Sequence, residues 1–252
     1  MSNPREYRWI GSARETLHQL LAHVVALPGR GYTTEDALEA QVYALYESNS
    51  FEERTLYRST REVDNDIRSI EIPGRMKRHR QDRQTSFIHF ENPQSRGSEN
   101  QKRRIAVHAH PERIVTLMSY LVKVFGQETS VYDIKIAATL EGVTSRLDNI
   151  VIYYYDDGYD STGRAIAGFL ADNGGSLMPG NPAMMRPLGT PGAATADQSR
   201  GGSWGSTRTP IIARAALALF HSGQLTYSNL VAKVEADFRT AGINPDDPSA
   251  YL

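Results

Sequence analysis

Residues 104–155 constrain the fold more than any other stretch of the chain. Arg104-Ile105-Ala106-Val107-His108-Ala109-His110 alternates as a half-buried strand does. Ile105, Val107 and Ala109 fall on one face, and Arg104, His108 and His110 on the other. Pro111 then suits a first helical turn. Ile114, Leu117, Met118, Leu121, Val122 and Phe125 follow at helical spacing, and Gly126 ends the stripe. Residues 131–138 are a second predicted strand, with Tyr132, Ile134 and Ile136 on one face and Asp133 and Lys135 on the other. Residues 149–155 are a third, and Gly142 and Ser145 allow a hairpin between the two.

The flanks read as helical. Trp9, Ile10, Leu17, Leu20, Leu21, Val24 and Val25 recur at helical spacing up to Pro28-Gly29. Thr33-Thr34-Glu35-Asp36 predicts the start of a second helix carrying Val42, Leu45 and Tyr46. Asp160 or Ser161 caps a helix through Leu170 that closes at Asn173-Gly174-Gly175. Residues 174–205 hold eight glycines and four prolines, which predicts one long loop. One further helix starts near Thr209-Pro210, and a last one runs from about Tyr227 to Thr240. Central strands with helices around them predict an α+β fold, a mainly antiparallel central sheet flanked by helices. Three parts are expected within one compact domain: a helical part over 1–73, a basic and partly mobile segment over 74–103, and a catalytic part over 104–252.

Composition narrows the chemistry. The chain has no cysteine, which excludes disulfides, thiolate zinc sites, iron–sulfur clusters and a cysteine nucleophile. No stretch approaches the ~20 apolar residues of a membrane span, and nothing near Met1 resembles a secretory signal, so a cytoplasmic protein without a membrane partner is expected. The net charge of -1 does not suit a polycation built for nucleic acid. The segment with Arg75, Lys77, Arg78, Arg80, Arg83, Lys102, Arg103 and Arg104 is basic, but only Phe87 and Phe90 interleave it, so a solvated surface or partner-binding arm fits better than a base-stacking platform. Inside it only Thr85-Ser86-Phe87-Ile88-His89-Phe90 reads as a strand, and residues 92–101 read as an exposed loop. The chain has no G-x-S-x-G, Walker, H-E-x-x-H or dinucleotide glycine pattern.

Only five of the 28 basic residues are lysine. Arginine stays charged and cannot act as a base. Lys77, Lys102, Lys123 and Lys233 lie in the basic arm or on predicted helices, whereas Lys135 lies on the polar face of a central strand. Arg104, His108, His110 and Lys135 can therefore converge on one sheet face, with Arg146 at the mouth of the third strand. The Tyr153-Tyr154-Tyr155 run must place at least one phenol on that face. Ser203-Trp204-Gly205-Ser206-Thr207-Arg208 precedes a helix, and a helix N-terminus beside an arginine suits an anion. The competing reading is a solvated outer face, usual for antiparallel sheets. His108-x-His110 could ligate a metal with Asp133 as the one further candidate, so a metal-free site is expected.

Five segments in order resemble the Hop-type effector family. They are the Arg104-Ile-Ala-Val-His108 strand, the Tyr132-Asp-Ile-Lys135-Ile strand and Arg146-Leu-Asp148-Asn-Ile-Val-Ile-Tyr153. They continue with the Pro182-Ala-Met-Met-Arg186-Pro-Leu-Gly-Thr-Pro-Gly192 loop and the Ser203–Arg208 motif. The likeness covers about 150 residues. The family is related to type III effector phosphothreonine lyases and to the stand-alone lyase components of class V lanthipeptide and thioamitide biosynthesis. The resemblance implies a phosphothreonine-lyase-like fold and β-elimination of phosphate from phosphoserine or phosphothreonine, leaving dehydroalanine or dehydrobutyrine, with no cofactor. It implies Lys135 as the base. Arg104, Arg146, Tyr153, Arg208, Arg186 and Arg214 match the phosphate contacts. In the effector lyases a basic residue and a histidine lie two apart on the first strand. Here Ala106 stands two after Arg104, so His108, His110 or another group supplies the acid. A phosphorylated precursor peptide and a separate Ser/Thr peptide kinase are the partners so implied. An effector acting on a host kinase and a non-catalytic phosphopeptide-binding module on the same fold are the alternatives.

Overall fold

The computed structural model describes residues 9–47, 55–74, 76–79, 86–198 and 204–252. Arg75, Arg80, Arg83, Thr85 and Ser203, singled out above, lie outside the described residues. The strands are β1 (Lys77–His79), β2 (Phe87–Glu91), β3 (Lys102–Val107), β4 (Val131–Ala137), β5 (Ile150–Tyr155), β6 (Arg186–Pro187) and β7 (Ala193–Asp197). The helices are α1 (Ala13–Val24), α2 (Glu35–Glu47), α3 (Thr60–Arg68), α4 (Ile114–Phe125), α5 (Leu140–Ser145), α6 (Ser161–Asp172), α7 (Trp204–His221) and α8 (Tyr227–Thr240). The sheet runs in the order β1-β2-β4-β5-β3-β7-β6. Pairing is antiparallel for β1–β2, β2–β4, β4–β5 and β5–β3, so the α+β expectation holds.

The chain divides into two compact units, neither of them a continuous stretch of sequence. The first takes in 49–181 and 188–195, with β1–β5 and α3–α6. Its core lies on one face of the sheet. Ile88 and Phe90 of β2, Ile134 and Ile136 of β4, Ile150, Ile152 and Tyr154 of β5, and Ile105 and Val107 of β3 are buried there. They pack with Val63 and Ile67 of α3, the α4 stripe from Ile114 to Phe125, and Ile166 and Leu170 of α6. Each such aliphatic or Phe side chain contributes roughly 1.5–3 kcal/mol when fully buried. The other unit takes in 9–48, 182–187 and 196–252, with α1, α2, α7 and α8. Leu17, Leu20, Leu21, Leu38, Val42, Tyr46, Trp204, Ile212, Leu230, Val234 and Phe238 are its buried side chains. The unit is helical because each segment carries an apolar stripe and a cap. In α1, Ser12 Oγ accepts from Glu15 N at 3.2 Å and Glu15 Oε2 accepts from Ser12 N at 2.7 Å. Gly205 is required at its place in α7, because a Cβ there would press on the rings of Tyr43 and Tyr46 in α2.

Four local expectations change. Strict alternation puts Tyr132 with Ile134 and Ile136. A register shift between Val131 and Asp133 instead turns its ring onto Tyr155, with centroids 4.8 Å apart, on the Lys135 face. The predicted hairpin at Gly142 is the helix α5, because Thr139 Oγ1 accepts from Gly142 N at 3.0 Å and caps it. The long 174–205 loop contains β7, whose Ala-Ala-Thr-Ala-Asp text carries little strand signal. The helix predicted to begin near Pro210 begins at Trp204 and holds Pro210 inside. Thr207 Oγ1 and Thr209 Oγ1 donate to the carbonyls of Trp204 and Gly205 at 2.8 and 3.1 Å, satisfying first-turn acceptors beside the proline.

Candidate active site

Residues opposite one another in an antiparallel pair share a face. The register gives two parallel rows on the face away from the core. One is Glu91–Asp133–Tyr153–Arg104, and the other is His89–Lys135–Val151–Ala106. Phe87 lies two residues before His89 on β2 and joins the same face. The polar face is therefore built by register, with β4 in the middle holding Lys135 between β2 and β5.

The side chains on this face meet through aromatic rings. Lys135 Nζ sits 4.1 Å from the centroid of Phe87 and 5.7 Å from that of Tyr153. The guanidinium carbon of Arg104 lies 5.0 Å from the same Tyr153 ring, and Arg104 Nη2 donates to Tyr153 Oη at 3.5 Å. The guanidinium carbon of Arg146, from just after α5, lies 4.8 Å from Phe87. Asp148 anchors that arginine, with Oδ1 accepting from Nε at 2.8 Å and lying 2.7 Å from Nη2. Two aromatic rings thus order three cations, and each contact of this kind is worth about 0.5–2 kcal/mol depending on desolvation. Tyr132 packs on Tyr153 at 5.7 Å. Burial drives the Tyr132 phenol far above its usual titration range, nearby Tyr153 adds to this and Arg104 opposes it. It is a neutral hydrogen-bonding group at physiological pH. Clustered cations repel one another, and a bound phosphate dianion relieves that repulsion while accepting bidentate bonds from guanidinium groups.

The remaining predicted residues divide between the two units. In the first, His108 is buried, its Nδ1 is 3.0 Å from the Pro179 carbonyl, and its backbone is tied to Gly192 and Met178. His110 Nδ1 accepts from Glu112 N at 3.2 Å. Asn149 fixes the chain between them, bonding both the N–H and the carbonyl of Ala109 at 2.8 Å. In the second unit, Arg208 is fully buried. Its guanidinium carbon lies 4.1 Å from the Trp204 ring and 5.1 Å from Tyr251, and its Nε donates to the Pro248 carbonyl at 2.9 Å. Arg186 is 3.7 Å from Asp247, and Arg214 is 3.2 Å from Glu35.

Sequence reading placed Asp133 on this face beside Lys135 but missed Phe87, Tyr132 and His89 as parts of it, and with them the pairing of His89 with Asp133. Asp133 Oδ2 lies 2.7 Å from His89 Nδ1. Alternation places His89 with Phe87, but only the β2–β4 pairing, across 44 residues of chain, sets them beside Lys135. The segment 92–101, expected as a plain exposed loop, is pinned by Arg96 N donating to the Thr129 carbonyl at 2.8 Å and by Gly97, where a Cβ would overlap the Tyr155 ring. Among the described residues no helix is long and apolar enough to cross a membrane.

The fold is similar to that of the effector protein from Pseudomonas syringae pv. syringae strain 61, at 13% identity with a TM-score of 0.71, covering 96% of this chain and 98% of that one. It is also similar to the effector protein from Pseudomonas syringae pv. tomato strain DC3000, at 12% identity with a TM-score of 0.68, covering 95% and 98%. A weaker likeness is to the type III effector/phosphothreonine lyase OspF from Shigella flexneri, at 16% identity with a TM-score of 0.43, covering 69% and 92%. No curated protein matches the sequence. The family model described as the HopA1 effector protein family matches residues 76–250, so the match begins in the basic segment, upstream of the strand at Arg104. On that match the chain belongs to the HopA1 effector protein family.

Proposed function

We propose that this protein is a lyase that eliminates phosphate from phosphoserine or phosphothreonine in a peptide. One observation carries the reading. Lys135 is held between the Phe87 and Tyr153 rings, with the Arg104 and Arg146 guanidiniums against those same rings. A β-elimination needs an amine beside Cα and a cationic cradle one bond further on, and this face supplies both. Lys135 Nζ takes the Cα proton, the Cα=Cβ double bond forms, and the Cβ–O bond breaks. Arg104, Arg146 and the Tyr153 hydroxyl hold the phosphate and offset the charge that develops as it leaves. The products are dehydroalanine or dehydrobutyrine and inorganic phosphate.

The substrate is a phosphorylated precursor peptide of ribosomal origin, and the phosphate comes from a separate kinase. Membership of an effector family favours a second reading, a phosphothreonine on a host protein kinase. Incubation with phosphopeptides of both kinds separates the two, the product being lighter by one phosphoric acid. Lys135→Ala should lower turnover on the order of 10³-fold while leaving phosphopeptide affinity largely intact. Unchanged turnover in Lys135→Ala would sink the mechanism. Wild-type protein that binds phosphopeptide and releases no phosphate would make it a binding module.

A further inference from the structure

We propose that His89 is the group that protonates the departing phosphate, with Asp133 as its positioning residue. The inference rests on the lyase reading and names the acid of that same site. An oxygen leaving from a phosphate monoester needs a proton, so a donor must stand on the face that holds the base. His89 is the residue directly opposite Lys135 across the β2–β4 pair. Side chains so opposed lie about 5 Å apart at Cβ, close enough for one substrate residue to touch both.

The local structure prepares His89 for this work. Asp133 Oδ2 receives its Nδ1–H at 2.7 Å, which fixes the ring orientation and puts a negative counter-charge beside it. His79 stacks on the ring with planes 4° apart and centroids at 5.5 Å, and holds it from the β1 side. His79 is itself 3.1 Å from Glu91. With Nδ1 committed to Asp133, Nε2 is the nitrogen left for a substrate. His89, His79, Glu91, Tyr132, Asp133 and Lys102 line a cavity of about 360 Å³ beside the ring. His108 is more deeply buried, with a ring nitrogen against the Pro179 carbonyl, and His110 Nδ1 is taken by the Glu112 backbone. Ala106, in the same row as Lys135, offers no proton.

The step balances. The Cα–H bond breaks and its proton goes to Lys135 Nζ. The electron pair forms Cα=Cβ, the Cβ–O bond breaks, and the proton on His89 Nε2 goes to the oxygen that carried Cβ. The enzyme ends with a charged lysine and a neutral histidine and resets by proton exchange with water.

The test uses a pair of leaving groups. Sulfate resembles phosphate in shape, carries one negative charge fewer than the phosphate dianion, and departs as the anion of a strong acid, without needing a proton. The wild type, His89→Asn and Lys135→Ala are assayed on the same peptide carrying either phosphoserine or sulfoserine. Asn keeps a donor at the Nδ1 position toward Asp133 and removes the ionisable nitrogen. His89→Asn should lose at least ~100-fold on phosphoserine and stay within a few-fold of wild type on sulfoserine. Lys135→Ala should lose both. Across a pH series the phosphoserine rate of the wild type should carry an alkaline limb, falling where His89 no longer holds the proton it donates, that His89→Asn lacks, with His79, Glu91, Asp133 and Lys135 the other titrating groups around the ring. A His89→Asn enzyme that eliminates phosphate at the wild-type rate, or that loses both substrates alike, overturns the assignment. Wild-type turnover that vanishes in Lys135→Ala keeps the lyase reading standing in either case. Wild-type protein inert on both peptides removes the lyase reading itself.

Discussion

Arg104 in the first unit and Arg208 in the second are both buried and both lie against aromatic rings, yet their surroundings differ. Arg104 shares its ring, Tyr153, with Lys135, and its guanidinium bonds the phenol at the rim of a face that carries further cations. Arg208 lies against Trp204 and Tyr251 and spends its Nε on the carbonyl of Pro248, which joins α7 to the chain near the C-terminus, while its Nη1 donates to Thr207 Oγ1 within α7. The first arrangement gathers positive charge on one face of the sheet. The second uses the same side chain as a hydrogen-bonding post in a core. Residue type and burial do not separate these surroundings, whereas the identity of the neighbours does.

Substitution can break this contrast. Arg104→Met keeps an apolar stem of similar length and removes the guanidinium. Exchange of a buried charge for a well-packed apolar group is often neutral for stability, so the urea midpoint should change little. kcat/KM on a phosphopeptide should fall by about 10²-fold, the scale of one oriented donor lost from a developing oxyanion. Arg208→Leu should do the reverse. Loss of a charged hydrogen bond to the Pro248 carbonyl and of two ring contacts should cost about 2–4 kcal/mol in urea unfolding. KM under native conditions should stay near the wild-type value. If Arg208→Leu instead raises KM with its unfolding midpoint unmoved, the phosphate role that the family resemblance implies for Arg208 is the right one.

The contrast also marks what could be read from sequence. The faces of β3 and β5 and the stripe of α4 follow from local periodicity, since a strand or helix writes its own repeat into the text. Lys135 emerged because it is the one lysine that local alternation sets on a polar strand face, although Lys102, read as part of the basic arm, also falls on that face, at the start of β3 and 5.2 Å from the Tyr132 ring. Phe87 and His89 could not emerge in that way. Their significance comes from the register β2–β4, a pairing between segments more than forty residues apart that no local pattern encodes. Tyr132 went to the wrong face for a related reason, because a bulge at Val131/Asp133 shifts the alternation by one. The arginines of the second unit were legible as residues but not as contacts. Whether Arg208 meets a carbonyl, a ring or a ligand depends on segments that close on it late in the chain.

Arg214 gives the smallest effect and sharpens the contrast from below. It pairs with Glu35 at 3.2 Å, with both side chains at least half exposed. A pair of this kind gains little, because water screens the charges and two long side chains lose freedom to meet. Arg214→Ala should therefore change unfolding free energy by no more than about 0.5 kcal/mol, and this small change should shrink further in high salt. Phosphopeptide turnover should be unaltered. A loss of turnover as large as that of Arg104→Met, with unfolding unchanged, would place Arg214 among the phosphate contacts. Neighbours in the free protein would then be a poor guide to role, because the exposed pair would have to open and its guanidinium turn to substrate.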